Sequence, residues 1–333
     1  MIRFGIIGTN WITETFIEAA REVEDFALAA VYSRSAETAD AFADKHQIAG
    51  RFTDITEMAA SGKIDAVYIA SPNSFHARHA IACMKQGIHV LCEKPIASNA
   101  YELRQMIAAA KENGVLLMEA LKSTFLPGFQ AIQENISKLG EVRRYFATYC
   151  QYSSRYDAYK SGTVLNAFNP SFSNGALMDL GIYCLYPLVA LFGKPDVVKA
   201  TGVMLESGVD GEGSIVLQYA TMDAVIMYSK ITHSSLPSEI QGESGSIVID
   251  KISEPSRVQI VYRDGTSEDI SRETSSKFMF YEAKAFIELV KASRTESNVN
   301  SFTNSLITLE IMDEARKQIG LSYPADQAAL DDH

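Results

Sequence analysis

Positive charge is what this 333-residue sequence lacks: 30 Lys and Arg face 41 Asp and Glu, a formal net charge of −11. Nucleic acid and anionic membrane surfaces both select basic faces, so neither is an expected partner. Cysteine is scarce as well. Cys83, Cys92, Cys150 and Cys184 stand far apart with no CxxC pair. They read as reduced thiols of a cytosolic protein, not as a disulfide frame or a zinc site. The six histidines show no HxxxH or HExxH spacing, so no metal is expected. No apolar run approaches the roughly 18 residues of a membrane span, and the chain enters a strand at Ile2 without a signal-peptide pattern. The expected setting is cytoplasmic. There is no internal repeat, low-complexity tract or long linker.

What is present is a hydrophobic content of 47% spread over a length too great for one ordinary core. Two domains are expected, 1–122 and 123–333. In the first, apolar runs at 2–7, 26–32, 50–52, 66–70, 89–92 and 116–118 alternate with helical patterns at 12–23, 36–45, 55–61, 75–85 and 101–113. Strands apolar along their whole length are buried on both faces, which marks a parallel sheet flanked by helices. The expected fold class is α/β, a doubly wound Rossmann domain that binds a dinucleotide. The second part has a different texture. A strand at 142–151 leads to a polar loop at 153–174 and a helix at 176–192. Strand-like runs follow at 197–204, 213–219, 224–230, 238–241, 246–249 and 257–262, then a hairpin turn at 263–266 and helices at 278–293 and 304–319. This is an α+β domain on a large, mostly antiparallel open sheet, with too few helices to cover both faces. Self-association through the bare face is expected, as a homodimer or higher homo-oligomer.

The first turn reads Gly5-Ile6-Ile7-Gly8-Thr9-Asn10-Trp11-Ile12-Thr13. Against G-x-G-x-x-G/A, Gly8 matches the first position, Asn10 stands at the second and Thr13 at the third. Asn tolerates positive φ better than other non-glycine residues, so the tight turn is expected to survive at Asn10. The pyrophosphate of a dinucleotide belongs at the N-terminus of the helix that follows. Strand two ends Val31-Tyr32-Ser33-Arg34-Ser35, with no acid to hold a ribose 2′-hydroxyl. Ser33 and Arg34 suit a 2′-phosphate instead, Arg through its planar fork, so NADP is favoured over NAD.

Two further motifs carry chemistry. The run at 89–92 ends in Glu93-Lys94-Pro95. Ligands bind at the carboxyl ends of strands in an open parallel sheet, and an ammonium placed there must be solvated or paired. Lys94 is therefore the leading catalytic candidate, with Pro95 fixing the backbone beside it. In the helix at 176–192, Asp179 and Tyr183 are four apart and share one face among apolar neighbours. An Asp buried in a helix is either functional or paired, here through a structural bond to Tyr183. Pro187 removes the helical partner of the Tyr183 carbonyl.

Together these motifs resemble the Gfo/Idh/MocA family of nicotinamide-dependent oxidoreductases. Four stretches carry the likeness: 5–13, Ala70-Ser71-Pro72-Asn73-Ser74-Phe75-His76, Val90-Leu91-Cys92-Glu93-Lys94-Pro95, and 175–183. Tyr in place of His at 183, with Met118-Glu119-Ala120, Phe125 and Pro127, is similar to the branch of dimeric dihydrodiol dehydrogenase and glucose–fructose oxidoreductase. Asn10 departs from the family pattern, as does Thr124, where that branch often has Arg. The resemblance implies a hydride exchanged between nicotinamide C4 and a secondary alcohol or carbonyl of a sugar, polyol or related vicinal diol. It implies Lys94 beside the nicotinamide, Tyr183 as acid/base and Asp179 orienting the substrate hydroxyl. It also implies cofactor contacts at Gly8, Thr9, Asn10, Trp11, Ile12, Ser33, Arg34, Ser71, Pro72, Asn73, His76, Glu93, Lys94 and Glu119. For His76, capping of its helix is an equal reading. A non-catalytic dinucleotide-binding regulator of the same fold and an NAD-dependent glycosidase are the rival readings. Retention of both Lys94 and Tyr183 favours the enzyme.

Overall fold

The computed structural model describes residues 1–327. The chain divides into two units, Met1–Leu121 with Ser275–Phe302, and Lys122–Thr274 with the residues from Thr303 on. The expected second domain ran unbroken from 123, so the return of Ser275–Phe302 to the first unit is a correction. The last residues of that expected domain, 328–333, lie outside the described residues.

The first unit begins with β1 (Ile2–Ile7), α1 (Trp11–Ala20), β2 (Phe26–Tyr32), α2 (Ala36–His46), β3 (Gly50–Phe52) and α3 (Ile55–Ala60). It continues with β4 (Ala66–Ile69), α4 (His76–Met84), β5 (His89–Glu93), α5 (Ala100–Asn113) and β6 (Leu117–Ala120). The strands form one parallel sheet in the order β3-β2-β1-β4-β5-β6. All four residues of β4 and the last four of β1 are buried, as strands covered on both faces require. The helices start where a side chain can accept the orphan amides of the first turn. Asn10, Ser35, Asp54 and Asn99 each do so, at about 1 kcal/mol per cap. The order reverses between β1 and β4, so the loops after these two strands flank the crevice where such sheets bind ligands.

The second unit contains α6 (Pro127–Asn135), β7 (Val142–Cys150) and α7 (Tyr156–Lys160). A π-helical turn at Leu177–Gly181 then runs into α8 (Ile182–Phe192). Seven strands follow: β8 (Val197–Met204), β9 (Asp210–Gln218), β10 (Asp223–Ser229), β11 (Ser238–Gly242), β12 (Gly245–Ile249), β13 (Val258–Tyr262) and β14 (Ser267–Asp269). The chain then passes through α9 (Met279–Lys291), which belongs to the first unit, and α10 (Phe302–Ile319). α9 packs on α1 and buries Phe286 against Phe4, ring centroids 5.7 Å apart, a contact worth about 1.5–3 kcal/mol in removed apolar surface. The sheet order is β14-β13-β12-β11-β7-β10-β9-β8, antiparallel throughout except for the parallel β10–β7 pair.

The π turn and α8 pack on β7 and β10, over the face carrying the buried Ala224, Ile226 and Tyr228. On the other face Val203 and Val216 remain 48% and 45% exposed, as the shortage of helices led one to expect. Two expectations need correction. The segment 153–174 is not simply a polar loop. It forms α7 and short 3₁₀ turns around a small core of Ala167, Phe168 and Val209, with Tyr156 and Tyr159 against it. Its aromatics follow neither a helical nor a strand period, so the pattern hid them. The second concerns apolar length: Pro170–Phe192 is long and apolar enough by composition to cross a membrane, with 72% of the window buried inside the fold. It is the unit's core segment.

Candidate active site

In the first unit, Gly8 has φ +112°, and a Cβ there would lie 2.6 Å from the Ala70 carbonyl oxygen. Only glycine lets the two loops at the switch point approach this closely. Asn10 does not take the left-handed conformation expected for it. Its φ is −98°, and its side chain caps α1 by accepting from the amides of Ile12 (3.1 Å) and Thr13 (3.2 Å). Its Nδ2 also donates to the Ala70 carbonyl at 2.8 Å. The side chain thus ties the first loop to the one after β4, a task a second glycine could not perform. The amide of Ile12 is spent on this cap. Those of Thr9, Asn10 and Trp11 are not used by the cap. A tight glycine cradle at a helix N-terminus fits a dinucleotide pyrophosphate. At the end of β2, Ser33 is partly exposed and Arg34 exposed, ahead of the Ser35 cap of α2.

Ser71, Pro72 and Asn73 are all partly exposed in the loop after β4. His76 is buried. It is 1% exposed, with Nδ1 2.9 Å from the Pro95 carbonyl and Nε2 2.8 Å from the Ser71 carbonyl. It joins the Ser71 loop to the Lys94–Pro95 turn, and burial pushes its pKa down. Glu119 is buried as well. At 2% exposure its Oε1 accepts from the Ile96 amide at 3.0 Å and supports the same turn from beneath. Glu93 is 8% exposed and accepts from the Tyr68 hydroxyl at 2.6 Å and from the Lys94 amide at 3.2 Å. From Val90 to Ala100, Lys94 alone is not buried. All this packing presents one ammonium at the mouth of β5.

The second unit repeats that arrangement. Between Gly175 and Val189 every residue is buried except Asp179 and Tyr183. Both lie on the segment expected to be α-helical, but Asp179 sits within the π turn, a feature frequent at functional sites. The turn is held by Asp210, fully buried on β9. Its Oδ1 accepts from the Ala176 amide at 3.0 Å and its Oδ2 from the Leu177 amide at 2.7 Å. Gly175, φ +146°, makes room: a Cβ there would come 2.1 Å from Oδ1. Asp179 Oδ2 pairs with Lys230 Nζ at 2.8 Å. Tyr183 meets the Tyr149 ring edge-on, centroids 5.6 Å apart. Thr124 is buried, 1% exposed, in a 3₁₀ turn. Asp210 and Lys230 escaped the sequence reading. Lys230 had a signal, since it directly follows an apolar strand, as Lys94 nearly does.

A parallel sheet of this order with a glycine cradle at its switch point, joined to an open antiparallel sheet, defines the chain as a dinucleotide-dependent oxidoreductase. The profile of the oxidoreductase family GFO/IDH/MocA, NAD-binding Rossmann fold, matches residues 2–121, and that of its C-terminal domain matches 129–248. The chain belongs to the Gfo/Idh/MocA family of NAD(P)-dependent oxidoreductases. It is 60% identical over 328 residues to the scyllo-inositol 2-dehydrogenase (NADP(+)) IolU of Bacillus subtilis (strain 168), covering 98% of this chain and 100% of that one. It is 32% identical to the trans-1,2-dihydrobenzene-1,2-diol dehydrogenase of Xenopus laevis, covering 97% and 99%. The aldose-aldose oxidoreductase from Caulobacter crescentus, crystallised with glycerol, shares the fold with a TM-score of 0.84 at 21% identity, covering 95% and 97%.

The Asp210 cap makes a testable statement about pH. Burial raises its pKa to about 6, against the Leu177 amide, the Lys230 charge and the Ala176 amide, which lower it. A proton held more tightly folded than unfolded, where the ordinary value is 3.8, stabilises at low pH. That contribution is full below about pH 4 and is lost as pH rises through about 6. Asp210→Asn removes the titration and leaves one amide without its acceptor, at a cost of about 1–3 kcal/mol. Urea unfolding between about pH 4 and 7 should show wild-type stability falling relative to the variant as pH rises. Parallel pH profiles would mean that Asp210 does not titrate in this way.

Proposed function

We propose that this chain interconverts a secondary alcohol and a ketone on a cyclitol, sugar polyol or related vicinal diol, with NADP preferred to NAD. The observation that carries the reading is the exposure pattern of the 175–189 segment, where only Asp179 and Tyr183 break an otherwise buried surface. Identity of 60% along the whole chain to a scyllo-inositol 2-dehydrogenase supports a cyclitol as the first substrate to try. Gly8, Thr9, Asn10 and Trp11 hold the pyrophosphate, Ser33 and Arg34 the 2′-phosphate, and Ser71, Pro72 and Asn73 border the ribose. A nicotinamide dinucleotide held by these residues would supply a hydride acceptor at its C4.

Tyr183 takes the hydroxyl proton in oxidation and returns it in reduction. A free tyrosine titrates near pH 10, too high for a base at neutral pH (about 10 against about 7). The Lys94 ammonium polarises the carbonyl oxygen as the C=O bond forms. Asp179 accepts a hydrogen bond from a substrate hydroxyl and turns the ring. A cytoplasmic setting accords with four free thiols. The bare sheet face that includes Val203, Val216 and Phe146 is proposed as the contact between two copies of the chain.

Three measurements test this reading. Calorimetry should give tighter binding of NADP than of NAD, and Arg34→Ala should weaken NADP by roughly 1–3 kcal/mol while sparing NAD. Equal affinities in the wild type would remove the assignment. In steady-state assays on a polyol panel, Lys94→Ala and Tyr183→Phe should each lower kcat by roughly 10²–10⁴. Combined, they should cost little more than either alone if both serve the same chemical step. Tyr183→Phe with near wild-type turnover would make the tyrosine structural. Light scattering should give at least twice the 36.6 kDa chain mass, and Val216→Lys should lower it. A constant monomer mass across concentrations would exclude the proposed contact.

A further inference from the structure

We infer that Lys230 is a positioning residue of the reaction, acting through Asp179. The inference rests on the reading of Asp179 as the group that orients the substrate hydroxyl. Lys230 directly follows β10 and is 3% exposed, whereas the Asp179 side chain is 36% exposed. The ammonium thus stands behind the carboxylate, away from solvent, and cannot itself reach a substrate. A buried ammonium needs partners on each side. It finds Asp179 Oδ2 at 2.8 Å, the Ala167 carbonyl at 3.3 Å and the face of the Phe168 ring at 5.3 Å from its centroid.

The backbone of the same residue is fixed in turn. Its amide donates to the Gly211 carbonyl at 2.9 Å, and its carbonyl accepts from the Ser153 amide at 2.8 Å. Lys230 therefore clasps both ends of the segment from Ser153 to Ala167, one through its carbonyl and the other through its ammonium. The third hold of this one side chain is Asp179. The direction of a substrate-facing carboxylate and the seat of an aromatic-cored segment are set by one buried charge. A hydrophobic side chain of equal length would fill the space and supply neither the ion pair nor the Ala167 bond.

Lys230→Met, Lys230→Arg, Asp179→Asn and the Lys230→Met/Asp179→Asn pair test this, with polyol kinetics, NADPH affinity and limited trypsin digestion as readouts. Lys230→Met should raise KM for the polyol by about tenfold to a hundredfold, the scale of a misplaced positioning group. NADPH affinity should stay within about twofold, since the partners of Lys230 named above all belong to the second unit. Trypsin should cut faster at Arg155 and Lys160, within the clasped segment. In the Asp179→Asn background the same change should add little to KM, and Lys230→Arg should recover part of the loss. Lys230→Met and Asp179→Asn effects that simply multiply would overturn the inference, as would an unchanged KM in Lys230→Met. Should Lys230→Met not fold, Lys230→Arg decides: wild-type KM supports a role for the charge, and a KM as high as that of Asp179→Asn overturns it. Wild-type kinetics in Asp179→Asn would instead bring down the reading of Asp179 itself, and this inference with it.

Discussion

The second unit depends on one buried carboxylate. Asp210 spends both oxygens on the two amides that open the π turn, in a space that only a glycine at 175 leaves clear. Every later feature of the segment follows from that cap. The wide turn carries Asp179 to the surface of an otherwise buried helix, and the register continues into α8 so that Tyr183 emerges beside it. A buried carboxylate raised toward neutrality is costly, and the Lys230 charge nearby offsets part of that cost. The same lysine then serves Asp179, so cap, ion pair and exposed carboxylate form one electrostatic group.

The first unit reaches the same end with different means. Its Lys94 is the only unburied residue in an eleven-residue stretch, Val90 to Ala100. The turn that carries it is fastened by three buried hydrogen bonds: Glu119 on the Ile96 amide, His76 on the Pro95 carbonyl, and Tyr68 on Glu93. Fully satisfied buried polar groups of this kind rigidify a site, because any alternative geometry leaves one of them unpaired. Each unit therefore offers its reactive side chain from a rigid, dry base, the condition under which a positioned acid, base or ammonium is most effective.

Much of this was legible in the sequence, and the reasons are physical. Strands buried on both faces are apolar without interruption, so β1, β2 and β4 announced themselves. The switch point and the Glu93-Lys94-Pro95 turn followed from their order. The uncovered sheet face could be read from the ratio of strands to helices. What stayed hidden depends on contacts between distant residues. A π turn and an α turn share the same local pattern at 177–181, and the carboxylate that holds the start of the turn, Asp210, lies thirty-odd residues on. Asn10 was expected to make a left-handed turn and instead caps α1, because its side-chain reach to Ala70 is invisible along the chain. The hydrogen bonds by which His76 and Glu119 hold the Lys94 turn are equally invisible along the chain. The return of Ser275–Phe302 to the first unit leaves no local mark, since an amphipathic helix reads the same whichever core it covers.

The account stands on direct transfer of a carbinol hydrogen to the nicotinamide. Its most direct test is to incubate the chain with NADP⁺ and a cyclitol deuterated at its carbinol carbons, and to locate the label by proton NMR. Deuterium at C4 of the reduced nicotinamide, on one face only, is the predicted result. Unlabelled NADPH, or a substrate that loses its deuterium to water while the cofactor stays oxidised, would contradict it.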